Sequence, residues 1–152
     1  MPSPQTSMTL LDDETPLTPS YTPNKLLYRE STVDKLETEI PGTRNLHIHG
    51  SRGTGKTQTV KKAVTDSETR FCYLSCIEYD TQYQVLREVL KQLTKEPVST
   101  GHHTSELQRR LKKQVEVLDT VIILDELDFL LLNDGDDLLY FLSRLANSPQ
   151  II

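Results

Sequence analysis

The chain has 152 residues, enough for one domain with a buried core. Its formal net charge is -5, with a pI near 5.3 and a mean hydropathy of -0.46, so it lacks the overall positive excess that draws a protein to nucleic acid, and any such contact needs a local patch or segments outside this sequence. Two cysteines, Cys72 and Cys76, fit no common zinc spacing, and neither a signal peptide nor an apolar run near 18 residues is present, so a soluble, reducing, cytoplasmic setting without membrane contact is expected.

Residues 1–24, MPSPQTSMTLLDDETPLTPSYTPN, hold five prolines among Ser, Thr and acidic residues and read as a flexible, extended arm. Residues 25–152 are then the folded part. Val33, Leu36 and Ile40 fall three and four apart. They predict a helix capped by Ser31 or Thr32 and ended by Pro41-Gly42. Asn45–His49 predicts a short strand, Thr57 to about Val64 a helix, and Arg70–Cys76 a second strand. Val85, Leu86, Val89, Leu90 and Leu93 form an apolar helical stripe. Lys95–Thr104, with Pro97 and Gly101, is a loop, and Leu107, Leu111, Val115 and Leu118 form a further stripe. Thr120–Leu124, TVIIL, predicts a strand buried on both faces. Asn133–Asp137 reads as a turn; Leu138, Leu139, Phe141, Leu142 and Leu145 mark a last helix; Asn147–Gln150 is another turn, and Ile151-Ile152 starts a strand. This alternation predicts an α/β fold, a three-layer αβα arrangement around a parallel sheet, incomplete at its C-terminal strand. An unpaired sheet edge beside Val121–Leu124, and with it marginal stability, is the corresponding expectation.

Two motifs carry the chemistry. Gly50–Thr57, GSRGTGKT, meets the pattern G-x-x-x-x-G-K-[ST] between a predicted strand and a predicted helix. Gly50, Gly53 and Gly55 let backbone N–H groups turn inward and approach phosphates without a Cβ in the way. Ser51, Arg52, Thr54 and Gln58 complete the cradle. The N-terminus of the following helix adds partial positive charge. Lys56 supplies a cation for the terminal phosphates, and Thr57 a hydroxyl for Mg²⁺. The second motif is Val121–Glu126, VIILDE. A carboxylate at the C-terminal end of a buried strand lies beside the phosphate loop of an open α/β sheet. Asp125 is therefore expected to hold Mg²⁺ through water, and Glu126 to polarise an attacking water. The acidic pair favours NTP hydrolysis over small-molecule phosphorylation. His102-His103 has no accompanying ligand set and reads as a loop pair.

Further segments accompany these motifs in order: SYTPNKLLYRESTVDKLETEI, with a Tyr-x-Pro and an Arg-Glu before a helix; IPGTRNLHIHGSRGTGKT; CIEYDTQYQVLREVL; LDELDFLL; and DDLLYFLSRLANSPQII. Over residues 18–152 the series resembles the AAA+ ATPases of the origin-recognition and replication-initiator family, especially its archaeal type. The resemblance implies ATP (or ADP) and Mg²⁺ as cofactors, with Tyr21 and Pro23 near the adenine and Arg29 and Glu30 bracing the site. It also implies a helical insertion within Lys95–Lys113 that helps engage origin DNA. Arg109, Arg110, Lys112 and Lys113 then form either that contact or a solvated face. Arg52 departs from the Pro or Ala common at its position. The family continues with a sensor-1 residue, an arginine finger, a helical lid and a winged-helix domain. The chain is accordingly expected to be an N-terminal part of such an initiator, holding ATP better than it cleaves it and meeting origin DNA mostly through other domains. Other initiator subunits or a replicative helicase are the further partners implied, in a nucleoid-associated setting. A different AAA+ regulatory ATPase and a non-catalytic nucleotide-binding remnant stay open as alternatives.

Overall fold

The structure, a computed structural model, describes residues 15, 18, 21, 23, 26–40, 42, 44–67, 69–117, 119–145 and 150–152. Most of the expected arm, Pro41, Leu118 and the greater part of the turn at 147–150 lie outside the described residues. The elements run α1 (Glu30–Glu39), α2 (Lys56–Asp66), β1 (Phe71–Ser75), α3 (Gln82–Thr94), α4 (Thr104–Val115), β2 (Val121–Asp125), α5 (Leu127–Asp134), α6 (Asp137–Ser143) and β3 (Gln150–Ile151). The three strands are parallel, in the order β1-β2-β3.

β2 organises the molecule. Val121, Ile122, Ile123 and Leu124 are all buried, as a strand sandwiched between helical layers requires. Successive side chains leave a strand on opposite faces. Ile122 and Leu124, with Cys72 and Leu74 of β1, enter the larger core, packed with the apolar stripes of α3 and α4 and with Leu130, Leu138 and Leu142. Val121 and Ile123 enter the smaller core with Val33, Leu36 and Ile40 at α1 and Val60, Ala63 and Val64 of α2, and Tyr73 packs against it. This alternation decides where the site lies. Asp125, two residues after Ile123, emerges on the α2 side of the sheet.

The helical stripes match the expected positions. α3 buries Val85, Leu86, Val89, Leu90 and Leu93, each stabilising by roughly 1.5–3 kcal/mol before the entropy of ordering is set against it. Thr81 caps its start, accepting from the Gln84 N–H at 3.4 Å, and Asp134 accepts from the Gln82 N–H. α4 buries Leu107, Leu111 and Val115.

Four expectations need correction. α1 begins at Glu30 with Arg29 as N-cap and no side-chain cap, because the Arg29 carbonyl already accepts from the Thr32 and Val33 N–H groups. Asn45–His49 is extended but forms no regular strand. Its described tie to the sheet is the Leu46 N–H donating to the Ile151 carbonyl at 2.8 Å, with the Ile151 N–H donating to Asn45 Oδ1 at 3.1 Å. The Ile151 N–H thus goes to a side chain and not to a backbone carbonyl of this segment, and no ladder forms between them. The turn at Asn133–Asp137 shrinks to Gly135-Asp136, since Asn133 and Asp134 end α5 and Asp137 opens α6. The unpaired edge beside β2 is also overturned. β2 pairs with β1 along its whole length and with β3 at Val121 and Ile122, and the Leu124 N–H donates to the Ile152 carbonyl at 2.8 Å.

Candidate nucleotide site

The extended segment ending at His49 delivers the chain into the loop, and α2 carries it away. Gly53 and Gly55 have φ of 74° and 79°. A Cβ built on either would meet nothing within 4 Å. The glycines therefore answer to the left-handed backbone, which L side chains adopt at a cost of roughly 1–2 kcal/mol, rather than to crowding. Thr54 Oγ1 donates to the Ser51 carbonyl at 2.9 Å, and Arg29, from the start of α1, donates to the Thr54 carbonyl at 2.8 Å. These two bonds pin the loop from within and from behind.

Lys56 is the first residue of α2, and its ammonium reaches back across the loop to the carbonyls of Gly50 and Ser51 at 2.9 and 3.0 Å. No side chain caps α2, so the amide donors of its first turn have no intrahelical acceptor. The loop, this turn and the end of β2 enclose a cleft of about 390 Å³ lined by Arg52–Gln58, Asp125 and Glu126. Two cations, two carboxylates and a free helix N-terminus converge there.

The carboxylate end is tightly tied. Asp125 Oδ2 accepts from Thr57 Oγ1 at 2.8 Å and from the Tyr73 hydroxyl at 2.7 Å, while Oδ1 accepts from the Glu126 N–H at 3.1 Å. Burial, then the hydrogen bond to Asp125, pushes the Tyr73 phenol well above its ordinary range, so it stays a donor. Glu126 is exposed and sits in the left-handed region at φ 54°, ψ 46°, as N-cap of α5. Gln58 Oε1 is buried with no hydrogen-bond partner among the described residues.

These features fit a nucleoside triphosphate with a divalent cation. The donors of loop and helix suit a polyphosphate. The Thr57 hydroxyl and the Asp125 carboxylate are hard oxygen ligands of the kind Mg²⁺ selects.

The structure thus brings together Gly50, Ser51, Arg52, Gly53, Thr54, Gly55, Lys56, Thr57, Gln58, Asp125 and Glu126 around one cradle. Tyr21 and Pro23 are half-buried and are not among the residues lining the cleft. Arg29 reaches the loop directly. Of the basic cluster, Arg109 pairs with Glu106 at 2.7 Å, Arg110 lies 3.4 Å from His102 Nε2, and Lys112 and Lys113 are exposed. Among the described residues no group of three or more metal-ligating side chains occurs, and no helix is long and apolar enough to cross a membrane. Sequence reasoning missed Tyr73. Its signal was the polar tip on a strand whose neighbours Cys72 and Leu74 face the opposite core.

Residues 41–152 match the family model described as the AAA domain. The chain belongs to this family of P-loop proteins. Among curated relatives it is 36% identical over 148 residues to the ORC1-type DNA replication protein 1 of Methanosarcina acetivorans, covering 85% of this chain and 35% of that one. It is also 36% identical over 143 residues to the protein of the same name from Sulfolobus acidocaldarius, covering 85% and 36%. The chain therefore spans about a third of the length of the curated relatives it matches. Among solved structures, the Aeropyrum pernix ORC1 protein in complex with DNA superposes with a TM-score of 0.77 at 26% identity, covering 89% of this chain and 40% of that one. The Aeropyrum pernix ORC2 protein, in ADPNP–ADP complexes, superposes at 0.71 and 20% identity, covering 92% and 44%. The likeness to ORC2 concerns the fold. The resemblance to replication initiators seen along residues 18–152 is borne out by these relatives.

Proposed function

We propose that this chain is the ATP-binding part of a replication initiator of the origin-recognition type, with residues 25–152 as its AAA+ nucleotide-binding domain and residues 1–24 as an arm. The observation that carries the reading is the convergence of Lys56, Thr57 and Asp125 on one cleft at the free N-terminus of α2. The relatives named as replication proteins support it.

On this reading the backbone N–H groups of residues 50–58 and the Lys56 ammonium hold the phosphates, Lys56 exchanging its loop carbonyls for phosphate oxygens. Thr57 and Asp125 hold the Mg²⁺, which supplies positive charge beside the terminal phosphates. Glu126 faces the cleft as the base for an attacking water. Tyr21 and Pro23 are the proposed contacts to the adenine. The partner proposed is origin DNA, reached in part through Lys112 and Lys113 of α4, together with other initiator subunits or a helicase, in a cytoplasmic, nucleoid-associated setting.

A fluorescent ATP analogue titrated against the parent chain and Lys56→Ala tests the nucleotide reading. Losing a charge-assisted contact of roughly 1.5–3 kcal/mol predicts at least a tenfold weaker affinity. Equal affinities for the two proteins would sink it.

A further inference from the structure

We propose that Tyr73 is a positioning residue that holds the Asp125 carboxylate in register for the divalent cation, an inference that rests on the nucleotide reading above. Tyr73 touches neither loop nor phosphate site in the described contacts. It acts through one oxygen, Asp125 Oδ2, which it shares with Thr57.

The register makes the contact possible. Tyr73 pairs with Ile123, and Ser75 with Asp125. Tyr73 therefore stands two residues back along the sheet on the face from which Asp125 emerges, a span of about 6.6 Å along a strand that the phenol bridges. Its own backbone is fixed on the side away from β2. The Tyr73 N–H donates to Gln92 Oε1 at 3.2 Å, and Gln92 Nε2 donates to the Tyr73 carbonyl at 3.1 Å. One α3 side chain thus satisfies both backbone groups that the edge strand would otherwise leave open. On the ring face, Lys61 Nζ of α2 lies 4.1 Å from the centroid. Tyr73 is held from α3, from α2 and from β2, and it transmits that rigidity to a single carboxylate oxygen.

The consequence concerns Thr57. A hydroxyl has one proton and two lone pairs. With its proton committed to Asp125 Oδ2, the lone pairs of Thr57 Oγ1 are left for a cation. That orientation lasts only while the acceptor stays in place, and the Tyr73 hydroxyl is the second donor that keeps it there. Partners of metal-ligating groups typically change metal affinity by 10–100-fold when removed.

Tyr73→Phe in the full chain, with Tyr79→Phe as a remote control, separates this role from packing. Affinity for the fluorescent ATP analogue is measured in EDTA and across a Mg²⁺ series, and Mn²⁺ binding without nucleotide is followed by electron paramagnetic resonance. The expected result is an unchanged EDTA affinity, within about twofold, and a roughly tenfold rise in the Mg²⁺ concentration giving half the full enhancement. Mn²⁺ affinity should fall in parallel, and Tyr79→Phe should behave as parent. A parental Mg²⁺ dependence in Tyr73→Phe overturns the proposal, as does an equal loss with and without metal, which marks a packing role. If the parent binds no nucleotide, the function reading fails, and the Mn²⁺ comparison still decides: equal Mn²⁺ affinities of parent and Tyr73→Phe overturn the positioning role.

Discussion

Glu126 occupies a backbone conformation that its side chain does not favour. At φ 54° and ψ 46° it is a non-glycine residue in the left-handed region, exposed, with nothing forcing it there except the junction of β2 and α5. Such strain costs of order 1–3 kcal/mol and persists where the surroundings over-determine it. The junction also aims the Glu126 N–H at Asp125 Oδ1, so the strained turn and the carboxylate geometry are one feature. Glycine at this position relieves the steric part but adds freedom to the unfolded chain. Glu126→Gly is therefore expected to be as stable as the parent or more stable by about 0.5–1 kcal/mol, read as a higher urea midpoint. A midpoint lowered by the substitution would show that the glutamate side chain, and not the backbone, is what the junction relies on.

At the scale of elements, what the sequence reveals follows from where periodicity is strict. α3 and α4 present stripes at helical spacing, and β2 is an unbroken apolar run, so each is legible in the sequence. α5 is not. LDFLLLND is apolar on nearly every side, yet only Leu130 is buried while Leu131 and Leu132 are exposed, so no period betrays a helix. The segment at Asn45–His49 differs for the opposite reason: its residues suit a strand, but ladder formation depends on a partner, and the Ile151 N–H beside it donates to the Asn45 side chain and not to a backbone carbonyl. The stripes that were legible also predict energetics. Leu111 is fully buried in the larger core, away from the cleft-lining residues. Leu111→Ala should cost 2–5 kcal/mol, roughly the range for buried leucines, in urea unfolding. Nucleotide affinity measured well below the denaturation midpoint should stay at the parental value. A loss under about 1 kcal/mol would mean that α4 packs more loosely than its burial implies.

For the whole molecule, the sheet divides two cores with different duties. The smaller one seats α1 and α2 and so carries the loop, while the larger one holds α3, α4, α5 and α6. The two motifs were readable because each is local, but the bridge between them was not. Thr57–Asp125 and Tyr73–Asp125 join residues 68 and 52 positions apart, the first through the packing of α2 against β2 and the second through the parallel register of β1 on β2. The larger core also sets a pH limit. Cys72 and Cys76 are buried in it, and burial chiefly pushes both thiols from 9.0 up to about 11. The folded state thus keeps protons that the unfolded chain gives up above pH 9, and stability falls as pH rises wherever the native state binds more protons. The contribution is fully present below about pH 9 and is lost as pH climbs through the folded value near 11. Urea midpoints should therefore be level from pH 7 to pH 8.5 and decline steadily to pH 11. Replacing both cysteines with alanine should lower the midpoint at neutral pH and flatten the decline, because the thiols no longer titrate, with the Tyr73 phenol leaving a residual slope at the alkaline end. An identical pH slope in the double variant would assign the alkaline loss to groups other than these thiols.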